Sequence, residues 1–301
     1  MTNRYEKLAE RMQNGEQILI DGATGTEVER RGAPKLEHAW NGGGAKTHPG
    51  MLKAIHSDYI QAGAQIIISN TFATGRHNME DAGCPEDFEL LNRRGVELAI
   101  QAREESGQEE VLVAAGISHW DFNNNPPTFE QLRINVEDQA AIMVEAGAEL
   151  IMLEMMAHID KMNICIDAAQ KTGLPVWVGV SCNLAEDGTP KLLHHGTLSE
   201  AILALQGRNI PLVSIMHTRV EYVDASLNVL QAEWDGLIGV YAHSGKFNSD
   251  GDLILDSVIS PEDYGTVASG WLGRGVNLVG GCCGVGVEHM DYLQRLMTAG
   301  G

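Results

Sequence analysis

The chain has 301 residues, 44% of them hydrophobic, with 34 glycines and a formal net charge of −20. That charge disfavours nucleic acid and anionic membrane as partners, and its simplest meaning is solubility. No run of about 18 uninterrupted apolar residues occurs, so no membrane span is expected.

The stretch from Met1 to Glu16 is polar and charged, which argues against a secretory signal. Five cysteines, an odd number, point to free thiols in a reducing cytosol, so a cytoplasmic protein is expected. The length allows one large domain or two small ones.

The apolar run Gln17–Asp21 reads as a buried strand running into the turn Asp21-Gly22-Ala23-Thr24-Gly25-Thr26. A loop with Trp40 and three glycines follows. Met51–Gln61 has helical spacing, and Gln65–Phe72 reads as a second strand ending in Ser69-Asn70-Thr71. Asp87–Glu105 is a predicted helix with Leu90, Val96, Leu98 and Ile100 apolar. Val111–Ile117 is a third strand, followed by a polar loop carrying His119, Trp120 and Phe122. Thr128, with Gln131 three residues on, caps a helix that buries Leu132, Val136, Ala140 and Met143.

Leu150–Leu153 is a fourth strand ending at Glu154, and Met162, Cys165 and Ala169 give the next helix its face. Pro175–Ser181 is a fifth strand, and Thr197 caps a helix through Leu205. Leu212–Met216 is a sixth strand ending at His217-Thr218, followed by a helix over Val223–Trp234. Leu237–Tyr241 is a seventh, ending in His243-Ser244-Gly245. Pro261 opens a helix at a favourable first-turn position. Val276–Val279 is an eighth strand, and Val287–Met297 is the last helix.

Eight β-rich runs, each followed by a helical pattern, predict a parallel sheet closed into a single (β/α)8 TIM barrel over residues 1–301. An open doubly wound sheet is the alternative, but the first turn lacks the G-x-G-x-x-G fingerprint. In a barrel, chemistry gathers at the carboxyl ends of the strands. Those ends carry Asp21, Ser69 to Thr71, Glu154, His217, His243 and the pair Cys282-Cys283.

Adjacent cysteines bridge to each other only with strain, whereas two neighbouring thiolates suit a soft metal, above all zinc. The third ligand stays open at this level, and inert buried thiols are the plainer alternative. Asp21 could equally cap its turn. Glu154 closes an apolar strand, where an unpartnered carboxylate is costly, so a ligand-binding role leads. Trp40 and Trp120 are loop anchors or walls for a cationic donor. His194, His195 and His243 are expected at the surface or behind the site.

The chain resembles the homocysteine S-methyltransferase family, which includes betaine– and S-methylmethionine–homocysteine methyltransferases. The resemblance rests on Asp21-Gly22-Ala23-Thr24-Gly25-Thr26-Glu27, on Ala62-Gly63-Ala64 leading to Ser69-Asn70-Thr71-Phe72, and on Glu154. It continues through Pro175-Val176-Trp177-Val178, Gly196-Thr197-Leu198, Val240-Tyr241, Ser244-Gly245 and Gly280-Gly281-Cys282-Cys283-Gly284 with Glu288-His289. It therefore covers almost the full length, and the Gly-Gly-Cys-Cys-Gly element is its most specific part.

The resemblance implies a zinc-dependent transfer of a methyl group from an onium donor to the thiol of homocysteine, giving methionine. It implies that Asp21 and Glu154 hold the amino acid's ammonium. Donors around Gly22 and Ser69, Asn70 and Thr71 would hold its carboxylate. Its partners would be a small thiol and a methyl donor, with self-association into a homo-oligomer left open.

One departure stands out. The family's first zinc cysteine follows strand six in an Asn-Cys pair, and the matching positions here are Met216-His217. Histidine is an accepted zinc ligand, so the implied metal set is His217, Cys282 and Cys283. Replacing a thiolate by neutral imidazole removes a negative charge and makes the attacking sulfur a poorer nucleophile. A sulfonium donor is therefore expected to be preferred over betaine. His119-Trp120, Met155 and His243 also depart from the family's usual residues. A non-catalytic zinc- or thiol-binding barrel is the alternative of a different class. Another is a methyltransferase using a different thiol or a corrinoid partner protein.

Overall fold

The computed structural model describes residues 3–247, 253–254 and 257–299. Eight parallel strands form the barrel: β1 Ile18–Leu19, β2 Ile66–Ile68, β3 Leu112–Ile117, β4 Leu150–Met156, β5 Val176–Val180, β6 Leu212–Arg219, β7 Leu237–His243 and β8 Leu278–Gly281. Neighbours run β1-β8-β7-β6-β5-β4-β3-β2. The ring closes where Ile20 bridges Ile66. There Gln65 N–H donates to Leu19 O over 2.8 Å and Asp21 N–H to Ile66 O over 3.0 Å. The expected fold class is the observed one.

Two apolar layers hold it. Side chains pointing into the barrel, such as Ile18, Ile66, Leu112, Leu150, Trp177 and Leu278, make one fully buried cluster. Side chains on the outer face of the strands, such as Leu19, Ile67, Val113, Ile151 and Val178, pack with the helices in a second. Strands buried on both faces read as continuous apolar runs. Thr128 and Thr197 each cap a helix through a reciprocal pair with Gln131 and Glu200.

The structure differs from the expectations in definite places. A helix over Arg4–Gln13 precedes the barrel, and its Leu8 and Met12 join the inner cluster. Its Tyr5 hydroxyl accepts from Trp177 Nε1 over 3.2 Å, so the helix closes the amino end of the barrel. Thr24–Arg30 is a helix rather than a turn. A hairpin of Cys182–Leu184 with Pro190–Leu192 follows β5. The second strand stops at Ile68, four residues short of Phe72. In the helix Phe88–Ser106 the buried leucines are Leu91 and Leu98, whereas Leu90 is 43% exposed. Strands β4 and β6 run past their expected ends, each with a register slip, between Leu153 and Met156 and between Met216 and Arg219. No helix among the described residues is long and apolar enough to cross a membrane.

Candidate functional site

The slips in β4 and β6 shape the mouth. Each contains a non-glycine residue in the left-handed region, Met155 at φ 55° and His217 at φ 46°. An extra residue kinks its strand and re-aims the neighbouring side chains. Glu154 and His217 are the residues turned this way.

His217 Nδ1 lies 3.3 Å from Cys282 Sγ, and Cys282 Sγ lies 4.0 Å from Cys283 Sγ. The three donor atoms all fall within 4.8 Å of one another. Tetrahedral zinc, with bonds of about 2.3 Å to sulfur and 2.0–2.1 Å to nitrogen, separates its ligands by about 3.5–3.8 Å. Soft donors at these spacings fit that ion. Cys282 N–H donates to Ala242 O over 2.9 Å and Ser244 N–H to Cys283 O over 3.0 Å, so β7 fixes the cysteine loop. The Cys282 thiol donates toward Cys283. That contact, helped by the nearby His217, holds Cys283 well below the usual thiol range, while Cys282 stays well above it.

His243 lies behind His217, one of the two places expected for it. Its ring sits 4.6 Å from that of His217, and its Nδ1 is 3.0 Å from the His217 carbonyl, to which it donates. Burial, then the neighbouring His217, push its pKa down to about 4, so it is a neutral donor. His194 and His195 are exposed as expected. His289 links the start of the last helix to its surroundings, with Nδ1 accepting from Gly286 N–H over 3.2 Å and Nε2 2.9 Å from Ile259 O.

Asp21 and Glu154 are 2% and 8% exposed. Asp21 Oδ2 accepts from Ile68 N–H over 2.8 Å. Burial raises the Asp21 pKa well above the carboxylate range, opposed by the Ile68 bond and reinforced by the charge of Glu154. Burial, then the charge of Cys283, push Glu154 up to about 8. Among the described residues neither carboxylate has a Lys, Arg or His in ion-pair range. Two buried carboxylates without a cation make a site suited to a cationic group from outside.

The remaining predicted residues fall around this centre. Ser69 and Thr71 hydroxyls lie 2.7 Å apart, and Thr71 Oγ1 donates to Gly116 O over 2.8 Å. Asn70 Nδ2 donates to Asn41 O over 2.9 Å. Their side chains are thus committed within the protein and brace the tops of β2 and β3. Gly22 lies so near the cysteine loop that a Cβ there would approach Val285 O to 2.5 Å. Trp40 meets Phe72 edge-on at 6.5 Å, and Phe72 meets Phe122 at 6.3 Å. Trp120 stacks on His194 at 4.8 Å. Trp120, Phe72 and Cys282 all pack on the inner-barrel cluster. The two tryptophans therefore stand on one aromatic rim, but their rings do not meet. Sequence reasoning missed Phe72, Phe122, Met216 and Tyr241 as mouth residues. For Met216 and Tyr241 the available signal was strand parity.

The family model for homocysteine S-methyltransferase matches residues 18–297. Homocysteine S-methyltransferase 2 of Arabidopsis thaliana is 24% identical over 303 residues, covering 90% of each chain. Homocysteine S-methyltransferase YbgG of Bacillus subtilis (strain 168) is 23% identical over 298 residues, covering 92% of this chain and 93% of its own. The metallated form of the homocysteine methyltransferase MmuM from Escherichia coli superposes with a TM-score of 0.81. It is 20% identical and covers 98% of this chain and 100% of its own. On the match across strands one to eight, this chain belongs to the homocysteine S-methyltransferase family.

Proposed function

We propose that the protein transfers a methyl group from an onium donor, a sulfonium in preference to betaine, to the thiol of homocysteine, with zinc held by His217, Cys282 and Cys283. Membership of the family makes it a methyltransferase. The observation that carries the finer reading is the meeting of one imidazole and two thiols beside two buried carboxylates that have no cation among the described residues. Zinc supplies a lowered thiol pKa, so that the acceptor sulfur is a thiolate at neutral pH.

The chain's own residues do the rest. Asp21 and Glu154 take the substrate ammonium, and its arrival favours ionised Glu154 over the protonated form that burial favours. Gly22 and the segment Ser69, Asn70, Thr71 border the carboxylate end. The aromatic rim, with Trp40 and Trp120, shields the donor's positive charge and excludes water. The leaving sulfide or amine departs neutral, so no general acid is required.

The test is a methyl-transfer assay on metal-analysed protein with homocysteine and a panel of sulfonium and ammonium donors. Methionine formed from a sulfonium donor supports the reading. Zinc-loaded protein that forms no methionine from any donor overturns it in favour of a non-catalytic thiol-binding barrel, a reading motivated by His217 at the family's cysteine position.

A further inference from the structure

Tyr241 lies in β7, paired in register with Met216 of β6 and Gly280 of β8. It is 2% exposed and belongs to the inner-barrel cluster. Its ring reaches past β6 toward β5, where a Cβ built on Gly179 would collide with the phenolic oxygen. Glu154 is seated in the same manner, since a Cβ on Gly116 of β3 would collide with its Oε2. Strands β3 and β5 each give up a side chain, and each gap receives a polar head group from another strand.

The Tyr241 hydroxyl is buried and has no hydrogen-bond partner among the described residues. Buried hydroxyls are costly in that condition, and native structures carry few of them. The ionisable groups around it are Glu154, Cys282 and Asp21, all acidic. A ligand carboxylate placed there would face acidic groups alone and compete with them for protons, which is unfavourable. The missing partner is therefore a cationic donor.

We propose that Tyr241 is a substrate-binding residue whose hydroxyl is the third acceptor for the α-ammonium of the acceptor amino acid, beside the carboxylates of Asp21 and Glu154. An ammonium has three N–H donors, and two carboxyl groups and a hydroxyl offer one acceptor for each. The assignment rests on the reading of homocysteine as acceptor, and it adds selectivity for thiols that carry a primary amine.

The experiment compares wild type with Tyr241→Phe, both zinc-loaded, by calorimetric titration with homocysteine and with γ-mercaptobutyrate, which lacks the ammonium. Thermal stability and zinc content are measured alongside. Tyr241→Phe removes no protein hydrogen bond, so its Tm is expected to equal or exceed that of wild type. Its affinity for homocysteine should fall about tenfold or more, while its affinity for γ-mercaptobutyrate stays unchanged. Equal affinities of wild type and variant for homocysteine overturn the assignment alone. So does an equal loss for both ligands. Wild type that binds no homocysteine overturns the acceptor reading and this assignment with it.

Discussion

The backbone N–H of Met155 donates to the thioether sulfur of Met216, 3.0 Å away. The Ser181 hydroxyl points to the same sulfur at 3.6 Å. Met155 is the left-handed residue of the β4 slip, and Met216 immediately precedes the left-handed His217 in β6. One sulfur therefore ties together the two irregularities that aim Glu154 and His217, across the intervening β5.

Met216→Leu keeps the volume of the side chain but removes the acceptor. The Met155 amide and the Ser181 hydroxyl then lose their partner inside the core, at about 1–3 kcal/mol. Homocysteine affinity and zinc affinity are both expected to fall, because both slips relax. Urea unfolding measures the stability loss, and titrations with homocysteine and with a zinc chelator measure the two affinities. A loss of stability with both affinities intact would show that Met216 is packing alone.

Cys282→Ser and Cys283→Ser should each lower bound zinc from about one ion per chain, since a hydroxyl is a far poorer zinc ligand than a thiolate. Elemental analysis after exhaustive dialysis is the measurement. Undiminished zinc in both variants would remove the cysteine pair from the metal site.

His217→Cys should keep zinc and raise single-turnover methyl transfer, because a third thiolate makes the attacking sulfur more electron-rich. His217→Ala should bind zinc more weakly. The comparison uses a sulfonium donor and betaine in parallel. A wild-type preference for betaine, or zinc held as tightly by His217→Ala as by wild type, would sink this account of strand six.

Stability should fall with acid because of two buried histidines outside the metal set. His56 is fully buried with neither ring nitrogen bonded, and burial lowers its pKa to about 4. His119 is buried too, and burial lowers its pKa to about 3. Its Nε2 accepts from Ala157 N–H over 3.1 Å. Both rings stay neutral in the folded chain, whereas the unfolded chain protonates them below about pH 6.5. Their contribution is therefore fully present above that pH. It is lost as pH falls toward 4, at up to about 1.4 kcal/mol per pH unit for each group. Urea unfolding between pH 7 and pH 5 should show the decline, and His56→Leu should make it shallower. An identical slope in the variant would count against His56.

The alternation of strands and helices was legible because β-branched runs and capped amphipathic stretches follow one another without interruption, as at Val111–Ile117 and Thr128–Glu145. The cysteine pair was legible because Gly280, Gly281 and Gly284 leave little other reason for it. The slips at Met155 and His217 were not, since methionine does not favour a left-handed backbone and histidine, though enriched there, adopts it at only a small share of positions. Tyr241 was hidden by its strand. With both faces of β7 buried, hydrophobicity does not reveal which residues point inward. The helix Arg4–Gln13 was passed over because its apolar side chains are few among charges, although Leu8 and Met12 are spaced to share a face.

That first helix has a consequence for traffic. With Tyr5, Leu8 and Met12 stoppering the amino end, the barrel is a cup and not a tunnel. Whatever sits on Asp21 and Glu154 must pass the aromatic rim on the way in and again on the way out. A donor waiting at the rim would block a thiol arriving behind it. If the donor seats at the rim as proposed, the molecule seated deepest enters first, and its methylated product leaves only after the spent donor has cleared the doorway.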